Sequence, residues 1–258
     1  MCTVGSVIDP TTGRIITFKQ CDLPHRRLFF EPHVTDRPGH LRFVAFEREG
    51  SGGPWAGINE RGVAFVSADA YLESGAADNI DPNGDVFEGY AHIIARCHSA
   101  ADAVEYMRDF YEERGGPDIL VVSDMEGAFL MEYSPYHGTR IAHHDSGIVV
   151  ATNHFRMLPD AIDFDDNHST YLRLARAEEI LERDASLRGI HTLLADQHFG
   201  ATELSICRVA ASPDEHLTQA AVIFSLEAGR VDCSYVLNGN PREKPFRDWS
   251  DVFEVDSE

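Results

Sequence analysis

A cysteine at the second position gives this chain one residue that could act as both nucleophile and base. The sequence opens Met1-Cys2-Thr3, so removal of the initiator methionine would leave Cys2 with a thiol and a free α-amine. A thiol with a reference pKa of about 8.5 can pass its proton to an α-amine of about 7.7 to 8.0, directly or through a water molecule. This pattern favours nucleophilic attack on a carbonyl carbon. The alternative is a small residue that happens to follow methionine.

The other cysteines and the histidines do not form a metal-binding motif. The odd set of five cysteines has no CxxC spacing, which argues against a disulfide framework and against a thiolate zinc site. The four beyond Cys2 are interpreted as small buried residues: Cys21, Cys97, Cys207 and Cys233. The densest histidine group is His143-His144-Asp145 with His154, but adjacent strand residues point to opposite faces. The sequence therefore predicts neither a metal nor a cofactor.

Length and composition describe an ordinary globular chain. Its 258 residues are 43% hydrophobic, and no segment resembles a linker, so we expect a single domain over residues 1–258. No run of 18 apolar residues could span a bilayer, and the N-terminus lacks the basic and apolar segments of a secretory signal. We therefore expect a cytoplasmic protein that does not associate with a membrane.

The charge of the chain excludes one class of partner. There are 43 acidic and 22 basic residues, a net charge of −21, and only Lys19 and Lys244 are lysines. Such a surface repels polyanions, so nucleic acid is not expected as a partner. An acid-rich, lysine-poor surface is also one solution to solubility in high salt, which favours a halophilic protein. The alternative is a codon bias toward arginine with an acidic surface for ordinary solubility.

Short apolar runs bounded by turn residues predict many strands and a few helices. The predicted strands are Thr3–Ile8, Ile15–Phe18, Leu41–Phe46, Val63–Ala68, Ile119–Val122, Ala128–Met131, Ile148–Thr152, Ala220–Leu226 and Val231–Leu237. The predicted helices cover Val86–Arg96, a run from the Ser99 and Asp102 capping pair to Gly115, Thr170–Arg183 and Ser186–Gln197. Polar loops are predicted over residues 73–85 and 159–167.

The turns indicate how these strands connect. Residues 9–13, Asp-Pro-Thr-Thr-Gly, predict a hairpin loop between the first two strands, and residues 59–62, Asn-Glu-Arg-Gly, predict a tight turn. Both turns imply antiparallel pairing. The order of strands, helices and strands predicts an α+β fold in which antiparallel sheets pack together and helices cover them.

Five segments occur in an order that resembles a known group of enzymes. They are Cys2, Lys19–Asp22, the turn Gly57–Val63, Ala151–Phe155 after a strand, and Ser169–Arg173 at the start of a helix. The chain resembles the choloylglycine hydrolase and penicillin acyltransferase group of N-terminal-nucleophile (Ntn) cysteine hydrolases. Two late segments, Ser205–Arg208 and Leu237–Pro241, resemble its acyltransferase branch. The resemblance spans almost the whole chain and implies a four-layer αββα sandwich of two mainly antiparallel sheets covered by helices.

The resemblance implies roles for the nucleophile and its neighbours. Cys2 would attack an amide carbonyl and become an acyl-thioester, and Asp22 would hold and polarise the α-amine. Lys19 lies where many relatives carry arginine, in Lys-Gln-Cys-Asp instead of Arg-Asn-x-Asp. Lysine is a single mobile charge, so a bidentate contact could not be kept unchanged. The alternatives are a surface strand position for Lys19 and a solvated turn carboxylate for Asp22.

The same resemblance implies which groups stabilise the transition state. Asn153 matches an asparagine whose amide contributes to the oxyanion hole, and the backbone near Asp69 would supply a second donor. A slip of one residue in that strand would reverse the face at Asp69. Arg173 matches an arginine that reaches from a helix toward the nucleophile, where it would support Asp22. The alternatives are a strand-ending asparagine and a helix-surface ion pair.

Together these observations predict a hydrolase or acyltransferase of linear amide C–N bonds that acts on a small-molecule N-acyl amide through Cys2. Two other classes stay open. One is a catalytically inactive small-molecule-binding protein with the same fold, suggested by the departure at Lys19. The other is a metallohydrolase built on the histidines. The oligomeric state is not encoded in any motif, and a homo-oligomer is compatible with the sequence.

The acidic composition generates a prediction about salt. If the surface is adapted to high salt, the free energy of unfolding rises between dilute buffer and molar KCl, because screening removes the repulsion among 43 carboxylates. Urea unfolding curves at increasing KCl concentration measure this change. A free energy of unfolding that does not rise with KCl would contradict the halophilic interpretation.

Overall fold

The computed structural model contains two antiparallel β-sheets that pack face to face between two pairs of helices. It describes residues 1–71, 86–159, 164–209, 212 and 215–254. The predicted loop over residues 73–85 lies outside the described residues, as do residues 160–163 of the loop predicted over 159–167.

The first sheet carries the N-terminus of the chain. Its strands are β1 (Cys2–Asp9), β2 (Arg14–Pro24), β10 (Gly147–Ala151), β11 (His216–Glu227), β12 (Arg230–Leu237) and β13 (Arg247–Trp249). Their order across the sheet is β10-β1-β2-β11-β12-β13. The first strand is therefore an inner strand, with β2 on one side and β10 on the other.

The second sheet follows the chain order without a crossover. Its strands are β3 (Val34–Thr35), β4 (Phe43–Phe46), β5 (Ala56–Asn59), β6 (Ala64–Asp69), β7 (Asp118–Asp124), β8 (Gly127–Ser134) and β9 (Gly138–His144). The turn between β5 and β6 has Gly62 at φ +79°, a left-handed conformation that glycine adopts readily. This confirms the tight turn predicted over residues 59–62.

Four helices complete the described structure. They are α1 (Val86–Arg96), α2 (Ala100–Arg114), α3 (Ser169–Arg183) and α4 (Leu187–Leu194). The Ser99 side chain accepts a hydrogen bond from the Asp102 backbone N–H, as the capping pair predicts. None of these helices is long and apolar enough to cross a membrane.

Three buried clusters define four layers. One fills the space between the sheets, with Val4 and Val222 on one side and Val66 and Val121 on the other. A second lies between the second sheet and helices α1 and α2, and a third lies between the first sheet and helices α3 and α4. This arrangement confirms the predicted four-layer αββα sandwich. It also means that each face of β1 and β2 contacts a different layer.

The hairpin of β1 and β2 sets which residues meet near the N-terminus. Asp9 pairs with Arg14 across the loop, and the register continues without a bulge to Cys2 opposite Cys21. Gly13, in the loop, has φ +69°, and the Asp9 side chain accepts a hydrogen bond from the Thr11 N–H at 2.8 Å. The loop predicted over residues 9–13 is thus confirmed, and it brings the two ends of the hairpin together.

The predictions missed elements whose residues are small or polar. Strand β5 is Ala-Gly-Ile-Asn, and β9 is a mostly polar edge strand of Gly, Thr, Arg and His among others, so neither shows an apolar run. Helix α4 ends at Leu194, short of the predicted Gln197. The short strands β3 and β13 were also not predicted.

Candidate active site

Cys2 begins β1 with its side chain between the two sheets. Strand alternation puts Cys2 and Val4 on this face, whereas Thr3 faces the layer of α3 and α4. Cys2 is 5% exposed and lines a cavity of about 40 Å³. The opposite wall of this cavity comes from the second sheet and includes Trp55 and Asp69. The thiol is therefore in a confined space with a lining from both sheets.

Lys19 lies in the same cavity, on the same face of β2 as Cys21. It is 4% exposed, so it is buried and not a surface strand residue. Its Nζ donates a hydrogen bond to the Trp55 carbonyl at 3.1 Å and lies 5.4 Å from the centre of the Trp55 ring. A cation is thus fixed beside the Cys2 thiol by a backbone oxygen and an aromatic face.

The surroundings of Cys2 favour its thiolate form. Interaction with the Cys21 thiol is the main cause that lowers the pKa of Cys2 well below its ordinary value. Burial opposes this shift, while Lys19, the N-terminal ammonium and the Asp22 backbone N–H add to it. The pKa of Cys21 moves the other way, because Cys2 and burial both disfavour a second thiolate. Of the two thiols, Cys2 is therefore the one whose surroundings favour the thiolate.

Asn153 connects the two sides of the site. Its Oδ1 accepts hydrogen bonds from the Cys2 backbone N–H and from Arg173 Nη2, both at 2.9 Å. Its Nδ2 donates to the Asp69 carbonyl at 2.7 Å. Since both partners of Oδ1 are donors, the orientation of the amide is determined, and Nδ2 has a second hydrogen besides the one donated to Asp69.

Asp69 ends β6 and meets Asn153 through its backbone carbonyl. Its side chain is exposed, and the residue lines the cavity of Cys2. The next two backbone N–H groups are engaged, since Ala70 donates to Pro117 and Tyr71 donates to Asn153. The structure therefore brings Asp69 into the site as an acceptor for Asn153, while a role as a backbone donor stays a prediction.

Asp22 is fully buried with its carboxylate on the helix side of β2. Its Oδ1 accepts hydrogen bonds from Gln20 Nε2 at 2.5 Å and from Thr218 Oγ1 at 2.8 Å. A β-bulge at Gln219 brings Thr218 opposite Asp22. Asp22 is thus not a solvated turn residue. With Met1 attached, its contacts with the N-terminus are made by its backbone, because its carbonyl accepts from the Met1 ammonium at 2.8 Å.

Arg208 is the ionic partner of Asp22. Its Nε lies 3.2 Å from Asp22 Oδ2, with both side chains fully buried, although the N–H is not aligned for a hydrogen bond. Burial raises the pKa of Asp22, while Arg208, the N-terminal ammonium and Arg173 oppose that rise. Arg208 also donates to Ser169 Oγ, which ties this ion pair to the first residue of α3.

Arg173 reaches from α3 to the start of β1. Its Nη1 donates to the Cys2 carbonyl and to Thr3 Oγ1, its Nη2 donates to Asn153, and its Nε donates to Ser169. Burial and the nearby Arg208 lower the pKa of Arg173 to about 10. Arg173 is therefore not a helix-surface residue. It holds the backbone of Cys2, and Arg208 rather than Arg173 forms the ion pair with Asp22.

The structure brings all six predicted site residues together and adds others that sequence reasoning missed. Cys21, taken for a core residue, lies directly opposite Cys2. Arg208 lies in one of the late segments that carried the resemblance, but no role followed from its sequence position. Within the described part of the chain, Arg48 Nε and Trp55 Nε1 are buried without a hydrogen-bond partner, and both residues line the cavity. The cavity thus offers free donors to the acceptor atoms of a ligand.

The histidines do not assemble into a metal centre. His143 and His144 lie on the edge strand β9, whereas His154 contacts Thr152 and Thr170 beside α3. Burial is the main cause that lowers the pKa of His154 to about 4. Among the residues that the structure describes, no group of three or more His, Cys, Asp or Glu side chains could hold a metal ion.

Comparisons with known proteins identify the same group of enzymes. The family model for acyl-coenzyme A:6-aminopenicillanic acid acyl-transferase matches residues 24–241. The Caenorhabditis elegans N-acylethanolamine-hydrolyzing acid amidase ortholog is 12% identical, with a TM-score of 0.61 over 86% of this chain and 92% of that chain. The C2A mutant of the conjugated bile acid hydrolase from Clostridium perfringens is also 12% identical, with a TM-score of 0.59 over 99% and 94%. No curated protein sequence matches. The TM-scores establish a shared fold, and at 12% identity the likeness to these two structures shows the fold alone.

The buried ion pair generates a prediction about stability. We expect Arg208→Met to lower the free energy of unfolding by about 3 to 5 kcal/mol, because it leaves the Asp22 carboxylate buried without its counter-charge. Adding Asp22→Asn removes that charge, so the double variant should lose less than the sum of the two single losses. Urea unfolding measures all three values. Arg188→Met is the matched control, since Arg188 pairs with Asp184 on the surface; equal losses at both positions would contradict the prediction.

The position of Lys19 generates a prediction about the pH dependence of Cys2. The rate of Cys2 alkylation by iodoacetamide reports the thiolate, and its pH midpoint in the wild type should lie below that of an ordinary thiol. A cation favours the thiolate, so Lys19→Met should move the midpoint upward and Lys19→Arg should keep it low. Lys244→Met is the control, because Lys244 donates to backbone carbonyls outside the cavity. Identical midpoints for Lys19→Met and the wild type would refute a role of Lys19 in the site.

Proposed function

Because the chain belongs to the acyl-coenzyme A:6-aminopenicillanic acid acyl-transferase family, we propose that it cleaves a linear amide C–N bond with Cys2 as the nucleophile. The acyl group would be held as a thioester and then pass to water or to a second amine. The family match begins at residue 24 and so does not include Cys2. Support for this nucleophile comes from the geometry around it.

The proposal requires removal of Met1. With Met1 attached, the Cys2 nitrogen is an amide that donates to Asn153 Oδ1 and cannot accept a proton. After removal, the same nitrogen would be an α-amine with Asn153 Oδ1 as a ready hydrogen-bond acceptor. The Asp22 backbone N–H, which donates to the Met1 carbonyl at 2.9 Å, would become free beside the thiol. A base and a further donor would thus appear at the nucleophile.

In the proposed first step, the proton of the Cys2 thiol moves to its α-amine and the sulfur attacks the amide carbonyl carbon. The carbonyl oxygen becomes an oxyanion, for which the unused Asn153 Nδ2 hydrogen is a donor worth about 3 to 4 kcal/mol in the transition state. Collapse of this intermediate breaks the C–N bond, and the leaving amine takes the proton from the α-ammonium. Attack of water or an acceptor amine on the thioester then releases the acyl group and restores the thiol.

The charges around the site favour this chemistry. Lys19, Arg173 and Arg208 are buried; Asp22 is the ion-pair partner of Arg208, and the buried Asp118 carboxylate interacts with Lys19. The positive charges of Lys19 and Arg173 would stabilise a thiolate and an oxyanion in a site of low dielectric constant. The free donors of Arg48 and Trp55 would suit a substrate that carries an additional acceptor oxygen near the scissile bond.

The observation that carries the proposal is the position of Asn153. One side chain contacts the Cys2 nitrogen and the arginine that holds the Cys2 carbonyl, and it still has a hydrogen to donate. Asn153 is therefore held against the backbone of Cys2 and against Asp69, which lines the cavity of the thiol. This position supports a role for Asn153 as the oxyanion donor beside a Cys2 nucleophile.

The test compares proteins with different N-termini. We expect a Met1-free protein, incubated with a panel of N-acyl amides, to release amine and to carry the acyl mass on its N-terminal peptide. A protein with one glycine left in front of Cys2 should do neither, since its Cys2 nitrogen is an amide. Asn153→Ala should lower the rate by about 100- to 1,000-fold. Amine release and peptide mass spectrometry provide the two readouts.

Cys233→Ala is the control for cysteine loss, because Cys233 lies on β12 away from the cavity. We expect it to behave as the wild type, whereas Cys2→Ala should lose all acyl transfer. Activity that survives in Cys2→Ala or in the glycine-extended protein would show that another group is the nucleophile. Supplying an acceptor amine then distinguishes transfer from hydrolysis by the ratio of new amide to free acid.

A further inference from the structure

We propose that Cys2 and Cys21 form a reversible disulfide when a hydroperoxide oxidises the nucleophile. The site would then carry its own protective modification, formed by a residue that the proposed amide cleavage does not use as a reactant. This inference depends on the reactivity of the Cys2 thiol and not on cleavage of any amide.

Residue pairs in an antiparallel ladder alternate between hydrogen-bonded pairs and non-hydrogen-bonded pairs, and the Cα atoms of the second kind are closer. The strand register makes Cys2 and Cys21 a pair of the second kind. Met1 and Asp22 exchange both backbone hydrogen bonds, Met1 N to Asp22 O at 2.8 Å and Asp22 N to Met1 O at 2.9 Å. In an antiparallel ladder the neighbouring pair, Cys2 and Cys21, is then a non-hydrogen-bonded pair, with Cα atoms about 4.5 Å apart. The Cys2 N–H, which donates to Asn153 on the other side, agrees with this assignment.

That spacing suits a disulfide. Disulfides join Cα atoms that are usually about 4.4 to 6.8 Å apart, and the Cβ atoms must point the same way. Cys2 and Cys21 lie on the same face of the hairpin, and both line the cavity between the sheets. The bond can therefore form without moving either strand.

The Cys2 thiol has the protonation state that the first step needs, and its oxidation removes the thiolate whose interaction is the largest cause that raises the pKa of Cys21. In the first step the Cys2 thiolate attacks the peroxide, the O–O bond breaks, and Cys2 becomes a sulfenic acid while an alkoxide or hydroxide leaves. The Cys21 sulfur then attacks the Cys2 sulfur, the S–O bond breaks, and water leaves with the Cys21 proton. Two thiols are oxidised to one disulfide and one hydroperoxide is reduced. The low pKa of Cys2 supplies the first nucleophile.

The other three cysteines lack such a partner. Cys233 pairs across its ladder with Phe224 and Trp249, so it faces no second thiol. Burial raises the pKa of Cys97 to about 11 and that of Cys207 to about 12, which keeps both as unreactive thiols. All five cysteines are free in the structure.

The test uses the positions of tryptic cleavage in the hairpin. Cleavage after Arg14, Lys19 and Arg26 separates Cys2 and Cys21 into two peptides, which a disulfide would join under non-reducing conditions. After treatment with hydrogen peroxide, we expect the joined peptides at a mass two hydrogens below their sum. Dithiothreitol should separate them and restore Cys2 alkylation to nearly its original level. Absence of the joined peptides would refute the proposal.

Two variants make the result specific. Because Cys21 is also the main cause that lowers the pKa of Cys2, Cys21→Ala is treated until it has lost as much Cys2 alkylation as the wild type. Its Cys2 should then be sulfinic or sulfonic acid, and dithiothreitol should not restore alkylation. Cys97→Ala, the control, should recover as the wild type does. Recovery in Cys21→Ala equal to that of the wild type would overturn the proposal. Circular dichroism establishes that Cys21→Ala is folded, and Cys21→Ser replaces it if it is not. Failure of the amide panel alongside a formed disulfide would count against amide cleavage alone.

Discussion

The first residues of β1 extend beyond the end of β10, and the whole site depends on which groups form hydrogen bonds with the backbone of these residues. The β1–β10 ladder stops at Val4 and Ala151, so the backbone groups of Cys2 on that side have no strand partner. Buried N–H and C=O groups require partners. The Asn153 side chain accepts from the Cys2 N–H, and Arg173 donates to the Cys2 carbonyl. Two side chains thus continue the sheet, and in doing so they fix the backbone of Cys2.

The same constraint explains the concentration of buried charge. Arg173 has to reach the Cys2 carbonyl from α3, which buries a guanidinium, and Arg208 shares the Ser169 hydroxyl with it. Two buried guanidinium groups in contact with one hydroxyl would repel each other strongly without an anion. Asp22 supplies that negative charge as the ion-pair partner of Arg208. Burial and Arg208 lower the pKa of Arg173, while Asp22, Tyr71 and Cys2 oppose this shift.

Several features of the site could be predicted from sequence, and the misses have physical causes. Hairpin closure at Asp9 and Arg14 implies a register in which partner positions add up to 23, so the loop alone could have placed Cys21 opposite Cys2. Because successive side chains of a strand point to opposite faces, the same register places Lys19 toward the cavity and Asp22 toward the helices. The partner of Asp22 could not be predicted in this way. Arg208 lies in an irregular segment without helical or strand periodicity, and only tertiary packing brings it to β2.

Met1 clarifies the relation between folding and the proposed chemistry. In the unprocessed chain its backbone extends the ladder by one hydrogen-bonded pair with Asp22, and its sulfur lies 3.5 Å from Arg208 Nη1. None of the contacts that hold Cys2 to Asn153 and Arg173 involves Met1. Loss of Met1 would therefore remove two backbone hydrogen bonds at one end of the hairpin and leave the contacts of Cys2 with Asn153 and Arg173 intact. The fold can thus assemble the site first, and the α-amine that the proposed mechanism requires can appear afterwards without rearrangement.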